Sequence, residues 1–198
     1  MSAAQKLSLI SVEDYLAAEL RSETKHEYLG GVVHAMGEFT NRHNIIAMNV
    51  LANLHGKLRG KRFRPINSSA KIRVRLPTHV RFYYPDASVV CPPISPQEYF
   101  QDAPVVIVEV LSLWSRRADF GEKKHAYLTI PTLSVYLLVE QDESAVVAYR
   151  RTNDGFVREV YESLDAIIAL PEIETELALS DVYEDVTFTP EPDENDMS

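Results

Sequence analysis

Apolar positions along the chain follow two different periods. Ile45, Ile46, Met48, Val50, Leu51, Leu54 and Leu58 recur at helical spacing and predict a helix over residues 40–58. Ser11 is placed to cap an earlier helix, with Asp14 three residues on and Tyr15, Leu16 and Leu20 forming its apolar side. Residues 71–76 alternate instead: Ile72, Val74 and Leu76 share one face, and Lys71, Arg73 and Arg75 share the other. That pattern predicts a half-exposed strand with a basic outer face. Residues 26–36 read as a hairpin turning at Gly30-Gly31. Residues 82–91 read as one strand, ended by Pro92-Pro93. Residues 105–111 are apolar on both faces apart from Glu109, as a central strand would be.

Further along, residues 119–130 predict a helix stopped by Pro131. Residues 133–139 and 145–151 read as strands, and Asn153-Asp154-Gly155 turns the second of these into residues 156–160. Residues 166–170 and a short helix near 180–183 complete the body. No internal repeat is visible. The expected organisation is a single domain over residues 1–189, followed by an acidic disordered tail over 190–198.

Composition changes this picture at a few points. The chain has 198 residues and 45% hydrophobic content, enough for a sizeable core. Its only cysteine, Cys91, excludes an intramolecular disulfide and reads as a small core residue. No apolar run approaches the ~20 residues that span a bilayer, and the first ten residues lack a signal-peptide pattern. A cytoplasmic location, away from membranes, is the default expectation. The net charge is −9, which by itself disfavours nucleic acid. The distribution is uneven, however. Residues 39–85 hold no acid and ten basic residues, whereas residues 159–198 hold thirteen acids and no Lys or Arg. A basic stretch of this kind suits a phosphate-facing surface, though a merely solvated face would look the same.

The sharpest chemical signal is a pair of acids on apolar strands. Glu109 lies between Val108 and Val110, where no turn explains it, and Asp86 precedes Ala87-Ser88-Val89-Val90. Buried charge is costly unless paired. A buried ion pair is one solution; a divalent cation held by carboxylate oxygens is the other. Lys123, on the helix after the Glu109 strand, could orient an attacking water and stabilise charge on phosphoryl oxygens. Lys124 competes on position alone, but Tyr127 lies four residues after Lys123 and is the type of residue that packs inward. Glu27, before Gly30-Gly31, is a surface acid or a further carboxylate of the same site. Other chemistries lack support. There is no zinc spacing among the six histidines, no P-loop, no Gly-x-Gly-x-x-Gly and no Gly-x-Ser-x-Gly.

The strings His26-Glu27-Tyr28-Leu29, Tyr84-Pro85-Asp86, Val108-Glu109-Val110-Leu111-Ser112 and Asp119-x-Gly121-Glu122-Lys123 resemble the Uma-type family of "putative restriction endonucleases" within the PD-(D/E)XK nuclease superfamily. Ile130-Pro131-Thr132-Leu133, Val139-Glu140-Gln141-Asp142 and 147–151 extend the likeness over residues 11–185. The resemblance implies an α/β fold: a restriction-endonuclease-like mixed sheet flanked by helices, with additional antiparallel strands. It implies Mg²⁺ or Mn²⁺ held by Asp86, Glu109 and the Val110 carbonyl, with Glu27 as the early acid. The superfamily's usual lysine two positions after the acid is Leu111 here, and Lys123 takes its place. The chain departs from the family's pattern at Gly30, Ser69, Phe120 and 113–115.

The expected function is metal-dependent hydrolysis of DNA phosphodiester bonds, with Glu27, Asp86, Glu109 and Lys123 as the catalytic set. Lys57, Arg59, Lys61, Arg62, Arg64, Lys71, Arg73, Arg75 and Arg81 would track DNA phosphates. Strand edges and the resemblance suggest a homodimer. The alternative is a catalytically inactive nucleic-acid-binding or scaffolding module that keeps the nuclease fold.

Overall fold

The computed structural model describes residues 9–91, 97–112 and 115–188. Pro92-Pro93, Leu113-Trp114 and the expected tail 190–198 lie outside the described residues.

The chain opens with helix α1 (Val12–Glu19), whose N-cap Ser11 accepts the Asp14 amide as expected. Strands β1 (His26–Leu29) and β2 (Val32–Ala35) form the predicted hairpin. Its turn needs glycine: Gly30 and Gly31 have φ of 60° and 105°, where a side chain is strained. Helix α2 (Asn41–Lys57) follows and buries the stripe His43, Ile46, Val50 and Leu54. Strands β3 (Arg64–Asn67), β4 (Lys71–Arg75), β5 (Val80–Tyr83), β6 (Ala87–Val90), β7 (Phe100–Gln101) and β8 (Pro104–Val110) come next.

A continuous helical segment over 116–127 is built from α3 (Arg116–Ala118), a π-helical turn (Asp119–Lys123) and α4 (Lys124–Tyr127). Strands β9 (Val135–Val139), β10 (Ala145–Thr152), β11 (Gly155–Glu162), β12 (Ile167–Leu170) and β13 (Thr175–Ala178) and helix α5 (Leu179–Val182) complete the order.

Two sheets face each other. The first has the order β2-β1-β5-β4-β7 and the second β11-β10-β9-β8-β6-β3. Both are mixed: β4 with β7 and β8 with β9 are parallel, while their other pairings are antiparallel. The flanking helices and mixed sheets agree with the α/β expectation. One core lies between the second sheet and a cover of α2, α5 and the β12–β13 hairpin. Another lies between the two sheets and takes in Ile72, Tyr83, Ile107, Tyr127 and Tyr136. A third packs Tyr15 of α1 on Tyr28 and Phe82, on the outer face of the first sheet. Each aliphatic side chain fully buried in these layers contributes about 1.5–3 kcal/mol.

Three expectations need correction. Residues 82–91 are not one strand. They divide into β5 of the first sheet and β6 of the second, joined by Tyr84-Pro85-Asp86. Pro85 has no amide to continue a ladder, so the chain changes sheet there. The helix begins at 116 and ends at Tyr127, with Ile130 beyond it. Finally, Lys71 does not lie on an open basic face: it is 5% exposed. The face opposite Ile72 and Val74 is covered by α1, and Lys71 Nζ donates to Tyr84 Oη at 3.0 Å. Tyr84 in turn donates to Glu19 at 2.8 Å. Cys91 is half-buried at the edge of the first core.

A buried carboxylate cluster between the sheets

β8 shows how the site forms. Val106, Val108 and Val110 face the α2 core, so Ile107 and Glu109 face the first sheet. On β1, Tyr28 packs toward α1, which turns Glu27 and Leu29 toward the second sheet. The two glutamates therefore enter the space between the sheets from opposite sides. The helical segment 116–127 adds Asp119 and Lys123 from its π-helical turn, a feature that recurs at functional sites.

Lys123 Nζ lies 3.0 Å from Glu27 Oε1, 3.3 Å from Asp119 Oδ1 and 3.4 Å from Glu109 Oε1. Burial works to lower its pKa, but Glu109, Glu27 and Asp119 outweigh that and hold the ammonium charged, well above its ordinary value. Glu109, 4% exposed, also accepts a hydrogen bond from Tyr127 Oη at 3.0 Å. Burial raises its pKa well above the ordinary value; Lys123 opposes this, and Asp119, Asp86 and Glu27 add to it. The Asp119 pKa is likewise raised, chiefly by burial, with Lys123 opposing. Glu27 Oε1 and both Asp119 oxygens are buried without an aligned hydrogen-bond donor.

Asp86 stands just before β6, with its side chain 10% exposed. Its Oδ2 accepts the Val110 amide at 2.7 Å, and its Oδ1 lies 3.0 Å from His43 Nε2. His43 Nδ1 is buried without a partner, and Phe39 stacks on the ring at 4.1 Å. A cleft of about 360 Å³ opens onto this region, lined by Glu27, His34, Phe39, Ser112, Ser115 and Lys123 among others.

The structure thus brings Glu27, Glu109 and Lys123 into contact and ties Asp86 to the end of the Glu109 strand. Val110 touches Asp86 through its amide. Lys124 points elsewhere, 4.9 Å from the Tyr149 ring, while Tyr127 packs inward as its spacing indicated. Two members, Asp119 and His43, carried no role that the sequence alone assigned. Asp119 stood in the Asp119-x-Gly121-Glu122-Lys123 string and could have been found by its i,i+4 spacing from Lys123. His43 carried no signal beyond its place on the buried stripe of α2.

Among the described residues, no three His, Cys, Asp or Glu side chains converge tightly enough to cage an ion. The chemistry of the donors nevertheless fits a hard divalent cation. Carboxylate oxygens predominate and outnumber the nearby cations, Glu109 and Asp119 are buried with Glu27 and Asp86 half-buried beside them, and three oxygens of the neighbouring Glu27 and Asp119 lack aligned donors.

The basic residues are more engaged than a free phosphate-binding face would be. Arg73 and Arg75 pair with Asp102, Arg81 with Glu122, and Lys57 with Asp181. Lys61 and Arg64 reach the backbone carbonyls of Glu174 and Phe63. Arg62 lies over the Phe63 ring, and Arg59 is exposed.

Comparison with known proteins places these features in context. The family model Uma2, described as "Putative restriction endonuclease", matches residues 12–181. A Synechocystis protein, "Uncharacterized protein slr1290", is 33% identical over 147 residues, covering 74% of this chain and 76% of that one. A second, "Uncharacterized protein sll1609", is 26% identical over 149 residues, covering 74% and 83%. A crystal structure from Anabaena variabilis, titled a putative nuclease belonging to DUF820, superposes with a TM-score of 0.69 at 21% identity. It covers 87% of this chain and 97% of that one. Among the described residues no helix is long and apolar enough to cross a membrane.

Proposed function

The chain belongs to the Uma2 family, and from that membership we propose that it is a metal-dependent endonuclease that hydrolyses DNA phosphodiester bonds. The observation that carries this reading is the contact of Lys123 with both Glu27 and Glu109, with Asp86 tied to the end of the Glu109 strand through the Val110 amide, in the family's motif order.

Asp86, Glu109 and the Val110 carbonyl would hold Mg²⁺ or Mn²⁺. That ion supplies Lewis-acid activation of water and neutralises charge on the phosphate. The protein's own groups do the rest. The Lys123 ammonium, kept charged by its carboxylates, donates to the attacking water and to a non-bridging phosphate oxygen, where negative charge grows in the transition state. Glu27 accepts from the same water and holds it in line. Tyr127 fixes Glu109 by its hydrogen bond, and His43 with the Val110 amide fixes both oxygens of Asp86. DNA phosphates engage the outlying cations, led by Arg59 and Arg62, with Lys57, Lys61, Arg64, Arg73, Arg75 and Arg81 exchanging or sharing their protein partners. The Lys71 ammonium, buried under α1, anchors the sheet instead. The working unit is a homodimer.

One observation favours the inactive-module alternative: Lys123 already neutralises part of the cluster, so the fold can hold these acids without an ion. Incubation of purified protein with plasmid DNA, in Mg²⁺ or Mn²⁺ and then in chelator, separates the two. Ion-dependent nicking or linearisation, lost in Glu109→Gln, supports the endonuclease. DNA binding without cleavage under every ion supports the alternative.

A further inference from the structure

We propose that β11 is the surface on which a second copy of this chain docks, as a two-fold antiparallel strand pair centred on Val160; this rests on the homodimer reading above.

β11 ends the second sheet and, among the described residues, has no strand on its outer side. It is eight residues long, and its register with β10 is unbroken. Natural edges of this length are usually blunted by proline, by charged side chains, lysine above all, or by a bulge. β11 has no proline, lysine or bulge, and its charges, Arg158, Glu159 and Glu162, are of both signs.

The direction of its free backbone groups follows from neighbouring hydrogen bonds. Glu140 N–H donates to the Ala145 carbonyl, and Arg151 N–H donates to the Ser134 carbonyl. Odd-numbered residues of β10 therefore address β9, and even-numbered ones address β11. In the β10–β11 register, Val146 opposes Tyr161 and Ala148 opposes Glu159. The odd residues of β11 thus face inward, as the Ser163 amide does in donating to the Ser144 carbonyl. The N–H and C=O groups of Phe156, Arg158, Val160 and Glu162 point away from the sheet.

Charge then selects the partner and the register. A two-fold axis at Val160 sets Val160 against its own copy and each Arg158 against the other copy's Glu162, on one face of the extended sheet. Neither Arg158 nor Glu162 has an ion-pair partner among the described residues; Glu159 is taken by Arg150 and Tyr161. Inside the hairpin they oppose uncharged Tyr149 and Ala145. An axis one residue back would set Glu159 against Glu159, and an axis two residues back would set Arg158 against Arg158; like charges directly opposite are unfavourable. Val160, 42% exposed, would be covered by its twin.

The test uses the full chain and two charge reversals, Arg158→Glu and Glu162→Arg, with mass measured by sedimentation. Wild type is expected to dimerise, and each single variant to weaken the dimer roughly tenfold, since two attractive pairs become repulsive. Mixing the two variants should restore a heterodimer, because each then meets its opposite charge. Val160→Pro removes an amide that faces outward, so it should leave the monomer folded and abolish pairing. A wild type that stays monomeric at every concentration overturns both the dimer reading and this contact. A dimer indifferent to both reversals overturns only β11; the exposed Ile45 and Met48 of α2 would then be the face to examine. A monomer whose β11 amides resist hydrogen exchange would show the edge covered from within the chain, and also overturns the contact.

Discussion

The Val110 amide donates to Asp86 Oδ2 at 2.7 Å, tying the acid that opens β6 to the last residue of β8. The two proposed metal-holding positions are thereby coupled through one hydrogen bond to a charged acceptor, a bond worth about 1.5–3 kcal/mol.

Asp86→Asn keeps an oxygen for that amide but removes the charge. The fold should survive with a loss of about 1 kcal/mol. The rise in Tm expected of the wild type with Mn²⁺ or Mg²⁺, by mass action, should disappear. Calorimetry in ion and in chelator decides it: an equal ion response in both proteins places the ion elsewhere.

Lys123→Ala should do more than stop cleavage. Removing one partner of a buried ion cluster strands the others, at a cost of about 3–5 kcal/mol, or roughly 10 °C in Tm. A divalent ion should recover part of that loss. Lys124→Ala, which removes only a charge over the Tyr149 ring, should change cleavage little and stability by under about 1 kcal/mol. Equal cleavage rates for Lys123→Ala and wild type would remove Lys123 from the mechanism.

Ion-free stability should fall as pH rises above the ordinary carboxylate value of 4.5. The folded pKa of Glu109 lies above that value because of burial, so the folded state binds more protons than the unfolded one between the two values. Stability decreases with pH wherever that holds. Asp119 contributes with the same sign. Glu109→Gln should flatten the slope in denaturant titrations from mildly acidic to neutral pH. A variant with the wild-type slope would assign the dependence to other groups.

The cations should separate by role. Arg59, Arg62 and Arg75 changed together to Ser should flatten the dependence of DNA affinity on salt, by close to one unit of slope for each phosphate no longer neutralised. Lys71→Met should leave the slope alone and alter stability. A slope unchanged by the triple variant would return that surface to plain solvation.

Glu109 was legible because an acid inside an apolar run has no bland local explanation, and the motif order carried Glu27, Asp86 and Lys123 with it. The alternation at 71–76 identified correctly which residues share a face. It could not say that α1 would cover the polar side, because that depends on Tyr15, far earlier in the chain, packing against Phe82 of β5. His43 was hidden for a similar reason: a histidine on a buried helical stripe reads as core until α2 is docked beside Asp86. The acids that pair with Arg73, Arg75 and Lys57 lie 27 or more residues away in the chain, so a stretch without acids looked unneutralised when it is not. The change of sheet at Pro85 was missed, since residues 82–91 read as one strand, although a proline without an amide to continue the ladder marks the place.

The position of Glu27 on one sheet and Glu109 on the other has a consequence for how the protein ages and fails. Lys123 can touch both only while the layers are pressed together. A slight parting of the sheets would dissolve the site while nearly all secondary structure remained. On the endonuclease reading, loss of activity should therefore run ahead of loss of helical and strand signal on heating, making cleavage a gauge of interlayer contact rather than of folding as a whole.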